Sequence, residues 1–277
     1  VESIETLPVT HSILAAEAVR AEVERAYPTG TPSLCQLLKL GFNDTYLVAT
    51  PHRRYIARIY RMGWRSLSEI CYEVELLLHL AAGGVPVSAP VAGKDGQFTR
   101  CLAAPEGARH LVLFTYAPGA PLSWDAQGHS HLAGRLAAAI HGVSDSFVSQ
   151  HSRSCLNLRH LIDDPLAAVR PFCDHRPEDW SRLEEFGGRL RTRLQAAANA
   201  GLDWGVCHGN FNAENIHVTN DRQVTVFDFD LSGPGWRVSD FAEIRWDPSD
   251  RTKMARWDSF LKGYTETRSL SAADVAA

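Results

Sequence analysis

The sequence lacks paired cysteines and any strong excess of charge of one sign. Its six cysteines are scattered among 277 residues with no C-x-x-C pair, so neither a zinc site nor a disulfide framework is indicated. The formal net charge of −4 and the pI near 6.3 give no electrostatic reason to expect nucleic acid or an anionic membrane as a partner. A small-molecule partner is the better expectation.

Long apolar runs are also missing. No segment is apolar for long enough to span a bilayer, and the first residues, "VESIETLPVT", carry acids where a signal peptide carries basic residues. We therefore expect a cytoplasmic protein. The 45% of hydrophobic and 22% of charged residues are ordinary for a folded protein, and the length suits two packed lobes.

The first part of the chain predicts a small antiparallel sheet with helices. Helical periodicity marks residues 11–28 and the segment "SEICYEVELLLHLAAGGVPV", whose helix should stop at its glycine pair. Short apolar segments separated by turn-like loops predict the strands "SLCQLLKL", "TYLVAT", "RYIARIYR", "FTRCLAA" and "HLVLFTY".

A hinge is predicted at about 114–120, where "APGAPLS" interrupts the apolar pattern. We expect an N-terminal lobe over residues 1–116 and a C-terminal lobe over 117–277. The second lobe is mostly helical in its periodicity, apart from a hairpin-like insert around 215–228.

The insert predicts a magnesium site. Two alternating strands flank a polar turn, and a two-residue loop at Asp221 and Arg222 pairs Asn215 with Asp228. An amide oxygen and a carboxylate at one end of a hairpin suit Mg²⁺, which needs few protein ligands when phosphates supply the rest. In the alternative interpretation, Asn215 caps a turn and Asp228 ends a strand.

The segment before this insert, "HGNFNAEN", has the spacing of a kinase catalytic loop. In such loops an Asp accepts the proton of the substrate hydroxyl, and an Asn five residues later holds a metal ion. Here Asn210 occupies the position of the Asp, after His208, and Asn215 occupies the metal position. Asp228 follows thirteen residues later, close to where the second metal ligand is expected.

The first lobe offers a matching pair of charges. Arg58 lies in the middle of an apolar strand, and Glu73 lies on the apolar face of the predicted helix. A carboxylate on such a face needs a partner. We therefore expect an ion pair between the two, unless Glu73 lies only at the edge of the apolar stripe.

Together these motifs resemble the aminoglycoside phosphotransferase and choline kinase-like family over residues 35 to about 265. The resemblance implies an α+β, protein-kinase-like bilobal fold, with an antiparallel sheet and a helix in the N-lobe and a mostly helical C-lobe. It implies transfer of phosphate from ATP, with Mg²⁺, to a hydroxyl of an amino sugar, amino alcohol or hydroxy amino acid. The implied nucleotide site comprises Arg58, Glu73, Phe114, Thr115, Tyr116 and Asn43. The other implied residues are Asn210, His208 and Asp228 for catalysis, Asn215 and Asp228 for metal, and Asp240 for support of the catalytic loop.

Three features depart from the family pattern. Arg58 replaces the usual Lys, although a guanidinium still binds phosphate. Only 37 residues follow Asp240, where the family usually adds helices around the acceptor. Asn210 replaces the catalytic Asp and, as an amide, has no useful basicity. An engineered change, a nucleotide-binding pseudokinase and an enzyme that uses another group are all compatible with Asn210.

Candidates for the acceptor site come from the end of the resemblance. Glu243 and Asp247 lie on the segment that borders the acceptor in this family, and Asp230 is a further candidate. Trp236 either belongs to the core or edges the acceptor cleft. Glu214 and Asp230 are the carboxylates nearest in sequence to the metal ligands, and we interpret them as a surface acid and a supporting acid rather than as replacement bases.

Overall fold

A computed structural model describes residues 7–245 and 251–276, with most strands in the first half and most helices in the second. The strands are β1 Leu34–Leu40, β2 Asn43–Ala49, β3 Arg54–Tyr60, β4 Thr99–Ala104, β5 Gly107–Thr115, β6 Ala120–Pro121, β7 Trp204–Cys207, β8 Ile216–Val218, β9 Val224–Val226 and β10 Gly233–Trp236. The helices are α1 Ala16–Ala26, α2 Leu67–Ala82, α3 His129–Ser144, α4 Asp164–Val169, α5 Pro177–Asn199, α6 Ala242–Arg245, α7 Arg251–Thr265 and α8 Ala272–Ala276. The mixed α+β class expected from the sequence is confirmed.

The largest sheet is antiparallel and has the order β1-β2-β3-β5-β4. Side chains alternate across a strand, so β3 has two different faces. Ala57 and Ile59 are buried in a cluster with Val19 and Val23 of α1. The opposite face therefore carries Arg58 toward the rest of the molecule.

Helix α2 packs beside this sheet and begins at a complete capping box. The Ser66 hydroxyl accepts from the backbone N–H of Glu69, and the Glu69 side chain accepts from the backbone N–H of Ser66. The helix ends before Gly83, in agreement with the predicted stop. Its buried face includes Glu73, which is fully buried.

Helix α1 is shorter than predicted from residues 11–28 because residues before Ala16 bond elsewhere. Ser12 donates through its backbone N–H and its hydroxyl to the Glu106 carboxylate, at 3.2 and 2.6 Å. Its carbonyl accepts from Arg109 at 2.9 Å. These bonds anchor the segment to the β4–β5 hairpin in place of a first helical turn.

Residues 159–173 form a helical stretch that changes type twice. A π-helical turn at Arg159–Asp163 leads into α4, and a 3₁₀ turn at Arg170–Cys173 follows it. Pro171 has no N–H to donate and favours this change of helix type.

The predicted hairpin is present, but its register is shifted by one residue. Ile216 pairs with Val226 in β8 and β9, and the N–H of Phe227 donates to the carbonyl of Asn215 at 3.0 Å. Asn215 is therefore opposite Phe227, and not opposite Asp228 as predicted. The cause is a longer connection over residues 219–223, in which Arg222 has a positive φ of 61°.

Helices α3 and α7 cross at very close range and organise the second half of the chain. A Cβ atom at Gly134 of α3 would overlap the carbonyl of Phe260, and one at Gly263 of α7 would overlap the carbonyl of His131. With α7 in this position, its residues Phe260 and Tyr264 pack against Phe241. In the described ranges, no helix has both the length and the apolar character needed to cross a membrane.

Candidate active site

A cleft of about 760 Å³ lies between the five-stranded sheet and the second half of the chain. The charged and amide side chains around it come from both sides. They are Lys39, Asn43, Arg58 and Arg61 from the first half, and Asn210, Glu214, Asn215, Asp228 and Asp230 from the second. The cleft thus brings most of the predicted site residues together.

The expected ion pair between Arg58 and Glu73 is present inside the first lobe. Arg58 Nη1 lies 2.6 Å from Glu73 Oε1, and the Tyr60 hydroxyl donates to Glu73 Oε2 at 2.8 Å. Burial works to lower the pKa of Arg58, but Glu73, Tyr60 and Asp228 outweigh it and raise this pKa well above its usual value. The guanidinium therefore remains a permanent cation in the cleft.

Asp228 reaches the cleft through an unusual backbone conformation. Its φ of 67° and ψ of 57° are left-handed, which is uncommon for a residue other than glycine. Although Phe227, and not Asp228, lies opposite Asn215, this turn after β9 still directs the Asp228 side chain toward the cleft. It places Asp228 Oδ1 3.0 Å from Arg58 Nη2. Arg58 of β3 therefore forms an ion pair with the predicted metal ligand Asp228.

The predicted catalytic loop, residues 208–215, is held from behind by Asp240. Its carboxylate accepts from the backbone N–H groups of His208 and Gly209, at 2.7 and 2.8 Å, and lies 3.0 Å from His141 Nε2. On the far side, His141 Nδ1 lies 2.9 Å from the Tyr264 hydroxyl. Burial works to raise the pKa of Asp240, but hydrogen bonds from His141 and His208 outweigh it and hold the pKa below its usual value.

His208 is fully buried and connects the catalytic loop to the end of β9. Its Nε2 lies 3.0 Å from the carbonyl of Phe227, which only accepts, so Nε2 carries the proton. Its Nδ1 then accepts from the backbone N–H of Asn210 at 3.2 Å. Burial lowers the pKa of His208 and favours this neutral form, so the ring positions the loop.

The amide of Asn215 has a fixed orientation. Its Nδ2 donates to the backbone carbonyl of Asn210 at 2.9 Å. A carbonyl cannot donate, so Nδ2 must face it, and Oδ1 is left to face a cation. This oxygen and the Asp228 carboxylate are the donor types that Mg²⁺ prefers, so these residues fit the ion. Within the described ranges, no group of three His, Cys, Asp or Glu side chains forms another candidate metal site.

Asn212, a residue that the sequence reasoning did not single out, connects these two asparagines. Its Oδ1 accepts from the backbone N–H of Asn215 at 3.0 Å and caps the 3₁₀ turn Ala213–Asn215. Its Nδ2 donates to Asn210 Oδ1 at 3.0 Å. The signal was available in the sequence, because Asn212 lies inside the catalytic-loop motif.

Asp230 joins the two sides of the cleft. Its carboxylate accepts from Asn43 at 3.1 Å, from the Trp64 indole at 2.7 Å and from Arg65 at 3.2 Å. Burial works to raise the pKa of Asp230, but Arg58, Trp64 and Arg65 outweigh it and lower that pKa. The Trp64 ring also stacks on Phe42, at the tip of the β1–β2 hairpin, with centroids 4.4 Å apart.

Part of the predicted nucleotide site, residues 114–116, forms one wall of the cleft. Phe114 and Tyr116 line it. The Arg58 guanidinium lies 4.9 Å from the centre of the Phe114 ring. Thr115 is exposed, and its carbonyl accepts a hydrogen bond from the Ser88 hydroxyl.

The predicted acceptor residues are dispersed. Trp236 of β10 packs edge-on against Trp204 of β7, with centroids 5.4 Å apart, and is not among the residues that line the cleft. Asp230 lines it. Glu214, interpreted from the sequence as a surface acid, is exposed and also lines the cleft. The side chain of Glu243 and the whole of Asp247 lie outside the described residues.

Comparison with known proteins identifies the family. The profile of the phosphotransferase enzyme family matches residues 35–273. The chain belongs to this family. An uncharacterized protein of Deinococcus radiodurans is 39% identical to this phosphotransferase-family chain over 280 residues, covering 99% of the chain and 81% of the relative. Amicoumacin kinase of Bacillus subtilis is 24% identical over 245 residues, covering 83% and 71%. A homoserine kinase of Granulibacter bethesdensis is 24% identical over 240 residues, covering 85% and 72%.

Solved structures share the fold of this phosphotransferase-family chain. A microcompartment-associated aminopropanol kinase superposes with a TM-score of 0.73 and 24% identity, covering 93% of this chain and 83% of the other. An amicoumacin kinase in complex with AMP-PNP, Ca²⁺ and Ami gives a TM-score of 0.70 and 20% identity, covering 92% and 78%. The kinase-like fold expected from the sequence is thereby confirmed.

Proposed function

We propose that this chain transfers the terminal phosphoryl group of ATP to a hydroxyl of a small molecule. The observation that carries the proposal is the meeting of Arg58, Asn215 and Asp228 in one cleft, with each side chain fixed by a named partner. A permanent cation beside two hard-oxygen ligands suits a triphosphate and its divalent ion.

Each residue has a distinct part in this proposal. Arg58 binds phosphate oxygens, and Glu73 holds the guanidinium in place. Asn215 Oδ1 and Asp228 would hold Mg²⁺, which when bound neutralises charge on the phosphates. Asp240 and His208 keep the loop in position, while Phe114 and Tyr116 form the wall against which the nucleotide base lies.

Asn210 sets the level of activity that we propose. Phosphoryl transfer depends mainly on positioning and electrostatics, so loss of a general base lowers the rate by about 10²–10⁴ and does not abolish it. The same residue favours one second candidate, a nucleotide-binding regulatory module that transfers nothing.

The proposed acceptor carries an amine as well as a hydroxyl. Support comes from the names of relatives, since homoserine is a hydroxy amino acid and aminopropanol is an amino alcohol. Glu214, an exposed acid at the edge of the cleft, would complement a cationic amine.

The test is a transfer assay with ATP labelled at the terminal phosphate. Amino sugars, amino alcohols and hydroxy amino acids would be screened with Mg²⁺ present, and Asp228→Ala would serve as the inactive control. We expect slow, magnesium-dependent labelling of one class. Nucleotide binding without labelling of any acceptor, also after Asn210→Asp, would favour the regulatory module.

A further inference from the structure

The three asparagines of the catalytic loop form a chain of amides in which every orientation is determined. It starts at Asn212, whose side chain faces the backbone N–H of Asn215 at 3.0 Å. A backbone N–H only donates, so the atom that faces it must be the amide oxygen of Asn212. The amide nitrogen of Asn212 therefore points the other way, toward Asn210.

The orientation of Asn210 follows from that of Asn212. The two side chains are 3.0 Å apart, between Asn212 Nδ2 and Asn210 Oδ1. An NH₂ group needs an acceptor, so the oxygen of Asn210 is turned inward to receive it. The group of Asn210 that is left for a ligand is its own NH₂, and Asn210 lines the cleft.

We propose that Asn212 is a positioning residue that makes Asn210 a hydrogen-bond donor to the terminal phosphate of a bound nucleoside triphosphate. This inference rests on the proposed function. Asn215 Nδ2 bonds the backbone carbonyl of Asn210 at 2.9 Å, so Asn210 adjoins the candidate metal ligands where phosphates would lie. Phosphate oxygens only accept hydrogen bonds, so an amide NH₂ at this position complements them.

One substitution should reverse this orientation and leave the loop folded. In Asn212→Asp, one carboxylate oxygen still accepts from the Asn215 N–H, because Asp caps a helical turn as well as Asn does. The other oxygen faces Asn210 and only accepts, so Asn210 must turn its NH₂ inward and present its oxygen to the cleft. In Asn212→Ala the orientation is released and not reversed.

The test compares affinities for a non-hydrolysable ATP analogue and for ADP, with Mg²⁺, by titration calorimetry. The parent should prefer the triphosphate. Since a hydrogen bond to a charged group is involved, Asn212→Asp should lose roughly tenfold of that preference. Asn212→Ala should lose part of it. Asn220→Asp, which adds the same charge in the exposed β8–β9 turn, should retain it.

A second measurement observes the amide directly. The chain has seven asparagines, so selective ¹⁵N labelling gives a simple spectrum in which Asn210→Asp identifies one NH₂ signal. In the parent this signal should shift with the ATP analogue and much less with ADP. In Asn212→Asp it should appear hydrogen-bonded before any nucleotide is added and should not respond to the terminal phosphate.

The outcomes separate the two proposals. A parent chain that binds neither nucleotide would contradict the proposed function. Binding by the parent together with an unchanged triphosphate preference in both Asn212 variants would overturn the role given to Asn212. A loss of triphosphate preference in Asn212→Asp with no change in Asn212→Ala would reflect the added charge alone. This result would also overturn the role given to Asn212.

Discussion

Arg58 holds Asp228 directly, with Nη2 of the guanidinium 3.0 Å from Oδ1 of the carboxylate. The other nitrogen of the same fork lies 2.6 Å from Glu73. The planar guanidinium bonds each carboxylate through a different nitrogen, whereas an ammonium would have to reach both from a single nitrogen. A Lys at this position would lack the second nitrogen of this bridge, by which Arg58 links the helix acid to the proposed metal ligand.

The bridge predicts a specific effect of Arg58→Lys. The Lys side chain is shorter and has one charged nitrogen, so it should stay with the buried Glu73. Asp228 would then lack a cationic partner. Affinity for Mg²⁺ in the absence of nucleotide should then rise several-fold, as measured by titration calorimetry. Arg54→Lys, on the same strand but away from Asp228, should leave it unchanged. Equal metal affinities in the parent and in Arg58→Lys would argue against the bridge.

Magnesium and ATP should stabilise the protein together. Ligand at about 100 times its dissociation constant adds ~2.7 kcal/mol to the free energy of unfolding, which a thermal melt resolves. The shift given by ATP should increase when Mg²⁺ is added, and Asp228→Ala should remove that increment. Glu214→Ala, also at the edge of the cleft, should keep it. A parent melt insensitive to Mg²⁺ would contradict the assignment of Asn215 and Asp228.

Asp240 should make stability depend on acid pH. Its pKa is lower in the folded chain than in the unfolded chain. Its contribution to stability is therefore complete above the unfolded pKa, about 4, and is lost as pH falls through the folded pKa. Asp240→Asn should reduce the free energy of unfolding at pH 7 by about 2–4 kcal/mol. It should also flatten the fall in stability between about pH 5 and 3.

Denaturant unfolding across that pH range is the measurement. The exposed Asp174 provides the control, and Asp174→Asn should stay within about 0.5 kcal/mol of the parent. If Asp240→Asn and the parent lose stability in parallel on acidification, Asp240 is not the group that the loop relies on.

The contact between Trp64 and Asp230 should help to hold the β1–β2 hairpin over the cleft. Trp64→Phe keeps a ring for the stack with Phe42 and removes only the indole N–H. It should cost about 1–2 kcal/mol of stability and weaken ATP binding several-fold. Phe42→Ala removes the stack and spares the hydrogen bond, so the two variants separate the contributions. Unchanged ATP affinity in both would show that the hairpin needs neither contact.

The sequence was most informative where chemistry is concentrated in a short motif. Asn210 and Asn215 lie five residues apart in one loop, so their proximity follows from spacing alone. Arg58 and Glu73 were predictable for a different reason. Each is a charge on an apolar face, and the cost of burying an isolated charge required a partner.

Other features depend on geometry that spacing does not encode. The hairpin register was predicted one residue off. The left-handed backbone of Asp228 nevertheless brings its side chain to the cleft, and spacing does not encode that turn. The contact between Trp64 and Asp230 joins residues 166 positions apart. Its indole donor lies in a loop after β3 with no periodic pattern, so only the packed fold reveals it.

The most direct test of a kinase cleft with a replaced base is Asn210→Asp, assayed beside the parent on the same acceptor. The carboxylate keeps the size of the side chain and still accepts from Asn212, and it adds the missing basicity. The turnover rate should rise by about 10²–10⁴, which corresponds to ~3–5 kcal/mol of barrier. If Asn210→Asp transfers phosphate no faster than the parent on an acceptor that either one uses, Asn210 does not stand in place of a catalytic base and the account is wrong.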